Sequence, residues 1–263
     1  MTAIDVHAQI NIGGVNPTTY NQSFDTPTLA NTGTTTAFAN NVTVPGLYAT
    51  RAGATPTTYR ISNGSDTTGS LYSYGVNGST ERAFGSEIVA VNNVFFGFRF
   101  VNTSSSLIIS SFNIQYIGEQ WRRADNPANS QQQLTFAYAV FDSNTGSIND
   151  PDQYNTFTNL NFVVNNTTPG GAAGVNGPLT TQSFNQTVVL TGQDEAVLPG
   201  QELWIRWQDT RDNGANHGLA IDNVQMSFTL VPEISTLHAM IFGGIVFVIP
   251  AVRIARRRNA KKG

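Results

Sequence analysis

Apolar and polar residues alternate with a period of two in many segments between residues 20 and 230. In the segment 203–208, Leu203, Ile205 and Trp207 share one face, and Trp204 and Arg206 share the other. This alternation indicates strands with one face on a core and one face on water. Other segments of strand character are 20–25, 46–50, 70–74, 93–102, 107–116, 134–140, 183–191 and 224–228.

Turn-forming dipeptides separate these segments. Asn-Gly pairs occur at 63–64, 77–78, 176–177 and 213–214, and asparagine and glycine adopt the positive φ of tight turns most easily. About ten strands, with no amphipathic helical stripe between them, predict an all-β fold. We expect an antiparallel β-sandwich of jelly-roll type over residues 9–230.

The carboxyl end is different, because residues 237–252 carry no formal charge. As a helix this run is about 24 Å long, and residues up to 255 extend it toward the thickness of a bilayer core. The basic residues that follow favour a single transmembrane helix over 237–255, with the tail 256–263 in the cytoplasm. The alternative is a buried helix at the end of the domain.

Composition narrows the function classes. The chain has no cysteine, which excludes disulfide frameworks, cysteine-ligated metals and cysteine nucleophiles. Residues 1–236 contain eight arginines against 17 carboxylates, a net charge of −9, whereas residues 253–262 contain six basic residues. Since an acidic body repels phosphate backbones, the sequence does not predict nucleic-acid binding.

The order of the last segments resembles the PEP-CTERM sorting signal of Gram-negative bacteria. The resemblance rests on Val231, Pro232, Glu233 and Ser235, on the apolar run, and on a basic stop formed by Arg256, Arg257 and Arg258. This copy has Ile234 where the family usually has a second proline. The resemblance implies an inner-membrane precursor that an exosortase, a membrane protease, processes near Pro232 and Glu233 for release or transfer to the cell surface. The alternative is a permanently anchored protein.

The amino end lacks a basic segment and an apolar segment, although export requires an entry signal. Val6-His7-Ala8 before Gln9 resembles the end of a signal peptide. We therefore interpret residues 1–8 as a remnant of a signal that begins upstream. Residues 231–236 form the linker between the body and the membrane helix in this interpretation.

The body itself resembles an uncharacterised bacterial extracellular β-sandwich module. The motifs GLYATRAG, YRISNGSDTTGSLYSYG, ERAFGS, FGFRFVN, YIGEQWRR, LWIRWQDT and HGLAIDNV occur in this order between residues 46 and 224. Such modules are found in surface proteins and beside secreted nuclease-type phosphohydrolase domains. The closing segment also resembles those of lectin-like and carbohydrate-binding jelly rolls.

One candidate site is a structural calcium ion. In a strand with a period of two, Asp222 lies on the same face as Val224 and Met226, which predicts that its carboxylate faces the core. A buried carboxylate requires a charged or hydrogen-bonding partner or a cation. Carbohydrate-binding jelly rolls often carry a calcium ion between their first and last strands, and this resemblance pairs Asp222 with Asp25. The alternatives are a buried arginine partner or a β-bulge that redirects Asp222.

A second candidate site comprises Glu119, Trp121 and Arg122. Trp121 stacks on a sugar face in this hypothesis, and Glu119 or Arg122 binds the sugar hydroxyls. In the alternative interpretation, Trp121 fills the end of the sandwich and Glu119 pairs with an arginine.

We predict no catalytic residues, because no nucleophile elbow accompanies the histidines and no strand carries a recognisable pair of sugar-cleaving carboxylates. The sequence predicts a non-enzymatic exported surface or extracellular-matrix protein that binds exopolysaccharide. A carbohydrate-active enzyme and a purely structural adhesion protein are the alternatives.

Overall fold

The computed structural model describes residues 9–25, 32–89, 91–124, 130–166, 170–190, 196–211 and 217–233. Within these ranges the chain is all-β, which confirms the predicted class. Its strands are β1 (Ile10–Ile12), β2 (Thr19–Gln22), β3 (Thr35–Ala37), β4 (Leu47–Arg51), β5 (Thr58–Ser62), β6 (Ser70–Tyr74), β7 (Ala83–Glu87), β8 (Asn93–Asn102), β9 (Leu107–Arg123), β10 (Ser130–Phe141), β11 (Asn155–Thr156), β12 (Phe162–Asn166), β13 (Ala172–Ala173), β14 (Thr180–Val189), β15 (Glu202–Thr210) and β16 (Gly218–Pro232), with a 3-10 turn at Thr158–Leu160.

The predicted terminal segments lie outside the described residues. These are residues 1–8, the transmembrane helix 237–255 and the basic tail 256–263, together with Ser235, Arg256, Arg257 and Arg258. Among the residues that the structure describes, none forms a helix long and apolar enough to cross a membrane.

The strands form two sheets. The first has the order β1-β8-β15-β10-β11, with β4 also paired to β8 and β12 also paired to β10. The second has the order β13-β9-β16-β7-β6-β5-β3, with β14 also paired to β9 and β2 also paired to β16. Pairing is antiparallel except between β1 and β8 and between β5 and β6.

The core lies between the two sheets, and Trp207 is at its centre. This ring is fully buried and lies 5.1 Å from the Tyr116 ring and 5.4 Å from the Phe136 ring, measured between centroids. A buried tryptophan removes about 200 Å² from water, which corresponds to roughly 5 kcal/mol of hydrophobic stabilisation. The inward positions Leu203, Ile205 and Trp207 therefore agree with the alternation in the sequence.

The opposite face of β15 does not lie on water, which corrects our expectation. Trp204 and Arg206 are only 4% and 7% exposed. The Arg206 Cζ atom lies 3.6 Å from the ring centre of Tyr154 and 4.4 Å from that of Phe95, and Nη1 donates to the carbonyl of Ile148. The segment between β10 and β11 therefore covers this face of the first sheet.

Strand β16 carries a bulge at Asp222. Its register against β9 shifts between Asp222 and Gln225, and Asn223 has a positive φ of 50°. Ile221 and Val224 both belong to the main core, so the alternation changes phase between them. Asp222 consequently lies on the outward face of the sheet, and the prediction that it faces the core is wrong.

The same strand continues past the predicted end of the domain. Val231 pairs with Ile108 and Pro232 pairs with Leu107 in the ladder with β9. The backbone N–H of Glu233 donates to the carbonyl of Ser106 at 3.0 Å. The first three residues of the motif at 231–236 are thus attached to the folded body.

Candidate functional site

Trp121 is buried on the outward face of the second sheet. It is 3% exposed, and its ring stacks on Tyr74 at 6.1 Å, while Tyr74 stacks on Tyr72 at 4.8 Å. A register shift between Gly218 and Leu219 leaves Trp121 without a direct partner on β16. Because the Trp121 ring is almost completely covered by protein, a sugar could contact it only after a local rearrangement. Its burial therefore favours the alternative in which Trp121 has a packing role.

Glu119 binds this tryptophan rather than an arginine. The Trp121 Nε1–H group donates to Glu119 Oε2 at 2.7 Å. Burial raises the pKa of Glu119, and the hydrogen bond from Trp121 offsets part of that rise. Among the described residues Glu119 forms no ion pair with an arginine, although Arg122 follows three residues later in β9.

Arg122 pairs with Glu87 of β7, a residue that our sequence reasoning missed. Arg122 Nε lies 3.3 Å from Glu87 Oε1, but the geometry is not that of a hydrogen bond. Glu87 is 1% exposed, and neither of its carboxylate oxygens accepts a hydrogen bond within the described part of the chain. Burial raises the pKa of Glu87 to about 8, although Arg122 opposes this shift. The sequence predicted a strand at 70–74 but none over Ala83–Glu87. The alternation of apolar and polar residues therefore gave no sign of a buried carboxylate at Glu87.

The first sheet repeats the pairing of Glu119 with Trp121. Trp204 also follows a glutamate by two residues, and its Nε1–H group donates to Glu202 Oε2 at 2.8 Å. A glycine lies against each indole, since a Cβ atom on Gly146 would be 2.2 Å from Trp204 Nε1 and one on Gly174 would be 3.1 Å from Trp121 Cε3. The two pairs are therefore equivalent ways of burying a tryptophan under a loop on an outward sheet face.

Asp222 and Asp25, the predicted calcium ligands, approach one short segment, Glu81-Arg82. Asp25 Oδ1 accepts a hydrogen bond from the backbone N–H of Arg82 at 3.1 Å. Asp222 accepts from both the backbone and the side-chain amide of Asn223, at 2.7 and 2.9 Å. Burial raises the pKa of Asp222 well above its usual range, and the carboxylates of Glu119 and Glu81 add to this rise.

These contacts match the bulge alternative better than the calcium hypothesis. The described residues contain no group of three or more acidic or histidine side chains placed to hold a metal ion. Both oxygens of Asp222 already accept hydrogen bonds from its neighbour Asn223. Calcium requires six to eight oxygen ligands, and two carboxylates with these contacts do not fit that requirement well. Calcium binding remains a prediction from the resemblance.

An open polar cleft lies at the end of β4, where Arg51 forms part of the wall. Its volume is about 270 Å³, and it is lined by Arg51, Ala54, Thr55, Pro56, Thr57, Thr58, Gly69, Ser70 and Leu71. The Arg51 Nη2 atom donates to the carbonyl of Val89 at 2.9 Å, and its buried Nε–H group has no acceptor among the described residues. No described carboxylate lies within ion-pair distance of Arg51.

This cleft combines hydroxyl groups with a positive charge in an acidic body. A Cβ atom on Gly69 would lie 2.9 Å from Arg51 Nη2, so glycine leaves room for the guanidinium. Sequence reasoning missed the cleft, although Arg51 is one of only eight arginines before residue 252 and precedes the polar run Thr55-Pro56-Thr57-Thr58. A site of this kind can bind hydroxyl-rich or anionic groups.

Comparisons with known proteins give only remote likenesses. No family model and no curated protein matches the chain. Among solved structures, the K1 cleaved adhesin domain of Lys-gingipain from Porphyromonas gingivalis W83 matches at 13% identity, covering 80% of this chain and 97% of that one, with a TM-score of 0.36. TmCBM61 in complex with β-1,4-galactotriose matches at 12% identity, 57% and 72% coverage and a TM-score of 0.27.

The enzymatically active domain of tailspike protein 4 from bacteriophage CBA120 matches at 14% identity, with a TM-score of 0.33. The match covers 70% of this chain and 19% of the tailspike chain, so this chain spans about a fifth of its length. These scores are too low to support an argument about function, which therefore rests on the geometry described above.

Proposed function

We propose that this chain is a non-enzymatic exported surface or extracellular-matrix protein whose jelly-roll-like sandwich binds polysaccharide. The polar cleft at Arg51 is the observation that supports this proposal. Its volume of about 270 Å³ is just below the usual range for small-molecule pockets and suits one sugar unit of a longer chain. Hydroxyl groups from Thr55, Thr57 and Ser70 supply the donors and acceptors that sugar hydroxyls require.

Glycan-array binding of the purified chain tests this proposal. We expect binding that falls at least tenfold in Arg51→Ala and is unchanged in the control Arg211→Ala, whose residue is exposed. The predicted site at Glu119, Trp121 and Arg122 makes a different prediction, namely loss of binding in a Trp121→Ala variant that still folds. If the native chain binds no glycan, polysaccharide binding is refuted and the purely structural adhesion role takes its place.

The proposal includes delivery to the surface by the PEP-CTERM-like signal. An exosortase-type protease would process an inner-membrane precursor that the helix 237–255 holds in the membrane. Since Pro232 pairs with Leu107 and Glu233 donates to Ser106, cleavage before Glu233 would require the end of β16 to detach. We therefore expect cleavage on the carboxyl side of Glu233.

Mass spectrometry of the form released from cells tests the sorting signal. A carboxyl terminus just after Glu233 would support processing. A released protein that still contains Lys262 would refute processing by an exosortase. The glycan-binding test does not depend on this result.

A further inference from the structure

Strand β14 is a long sheet edge with an open side. It has ten residues, Thr180–Val189, and among the described strands it pairs only with β9. Every other strand at an edge of either sheet in the described part of the chain has five residues or fewer. Since short edge strands are one protection against edge-to-edge pairing, β14 is the exception in this fold.

Half of the backbone groups of β14 point away from the sheet. The N–H of Leu190, directly after the strand, donates to the carbonyl of Ser110 at 2.9 Å. In an antiparallel ladder alternate residues bond to the same neighbour, so the even-numbered residues bond to β9. The N–H and C=O groups of Thr181, Ser183, Asn185, Thr187 and Val189 consequently face the open edge.

This edge also lacks the usual protections. Its sequence, TTQSFNQTVV, contains no charged residue and no proline, and its ladder with β9 has a continuous register without a bulge. The outward side chains of the adjacent part of β9 (Ser111, Asn113, Gln115 and Ile117) are uncharged as well. The strip therefore carries no charge on a body with a net charge of −9, and edge charges are a common barrier to self-association.

We propose that β14 is an assembly surface at which two copies of this chain pair antiparallel and join their second sheets. A second copy is the best partner because the strip is uncharged, so identical copies do not repel each other there, and a two-fold contact needs only one self-complementary strand. With the two-fold axis at Asn185, Ser183 faces Thr187 and Thr181 faces Val189. Such a pairing forms about ten backbone hydrogen bonds.

The absence of cysteine from the sequence allows a direct test. In the full chain purified in detergent, Asn185→Cys places two thiols at the proposed axis, where paired Cα atoms lie about 5.5 Å apart and can form a disulfide. The control is Ser227→Cys, an exposed position on the central strand β16. On mild oxidation we expect a covalent dimer for Asn185→Cys at least fivefold above the control, and an equal yield would overturn the proposal.

A second variant separates edge pairing from random collision. Ser183→Pro removes an N–H group that faces the open edge, so the ladder with β9 stays intact. Combined with Asn185→Cys, it should lower the dimer yield at least fivefold without lowering the thermal midpoint. Ser183→Lys, which leaves the backbone unchanged, should have the same effect if the proline variant folds poorly. A dimer yield that neither change reduces would overturn the proposal.

Discussion

The buried carboxylate of Glu87 makes the stability of this fold depend on pH in a direction that can be calculated. Its pKa rises from 4.5 in the unfolded chain to about 8 in the fold. Because the folded pKa is the higher one, its contribution to stability is fully present below pH 4.5 and is lost as the pH rises through about 8. At 1.36 kcal/mol per pKa unit, the loss between pH 5 and pH 8 is roughly 3 kcal/mol.

Glu87→Gln removes this titration and should isolate the effect. His217 is buried and has its pKa lowered to about 4, chiefly by burial, so its contribution is lost as the pH falls and opposes that of Glu87 in the native curve. The informative quantity is therefore the free energy of unfolding of the variant minus that of the native chain. We expect this difference to increase by about 3 kcal/mol from pH 5 to pH 8. Urea unfolding followed by the fluorescence of the buried tryptophans measures it.

Glu202→Gln is the matched control, because Glu202 is equally buried but well supplied with donors. Its carboxylate accepts from Arg99 Nη2 at 2.6 Å, from the Asn144 N–H at 2.5 Å and from Trp204 Nε1 at 2.8 Å. Neutralising it should destabilise the fold by about 2 kcal/mol or more, because three donors lose a charged acceptor. If the native and Glu87→Gln curves run parallel between pH 5 and pH 8, the reasoning about Glu87 is refuted.

Three further predictions concern packing and metal. Gly64→Ala should lower the free energy of unfolding, measured in urea, by more than about 2 kcal/mol. Gly64 has a φ of +88°, and a Cβ atom there would lie 1.9 Å from the Trp121 carbonyl oxygen. Arg206→Met should cost about 2 kcal/mol in the same assay, since it removes a buried cation–π contact and leaves the Ile148 and Asp150 carbonyls without their donor. The thermal midpoint should not change in EGTA, and a fall of several degrees would instead support calcium at Asp222.

The sequence predicted the inward faces of the strands well. Along β15, Leu203, Ile205 and Trp207 point into the core as their spacing requires. A period of two assigns residues to two faces, and the apolar set identifies the face that meets the other sheet. This part of the fold depends on local sequence alone, which explains why the all-β class could be predicted.

The outward faces and the phase of β16 could not be predicted in the same way. Trp204 and Arg206 are buried because the segment between β10 and β11 folds over them, and nothing in the alternation of β15 indicates that contact. Counting from Val224 placed Asp222 on the core face, whereas the bulge at Asn223 moves it to the other side. The first error arises from a contact between parts of the chain that are distant in sequence. The second arises from a local bulge, which we predicted only as an alternative.

The repeated glutamate–tryptophan pair changes how the candidate sites are ranked. On each sheet a tryptophan donates to a glutamate two residues earlier, at 2.7 Å for Trp121 and 2.8 Å for Trp204, and a loop glycine lies against the ring. A tryptophan that stacks on a sugar needs an exposed ring and is required at only one site. A tryptophan that is buried under a loop to cover a sheet face is expected on both sheets. Among the described residues, open polar groups lie instead at the Arg51 cleft and along the edge of β14, the two surfaces to which we assign a glycan and a second copy in our proposals.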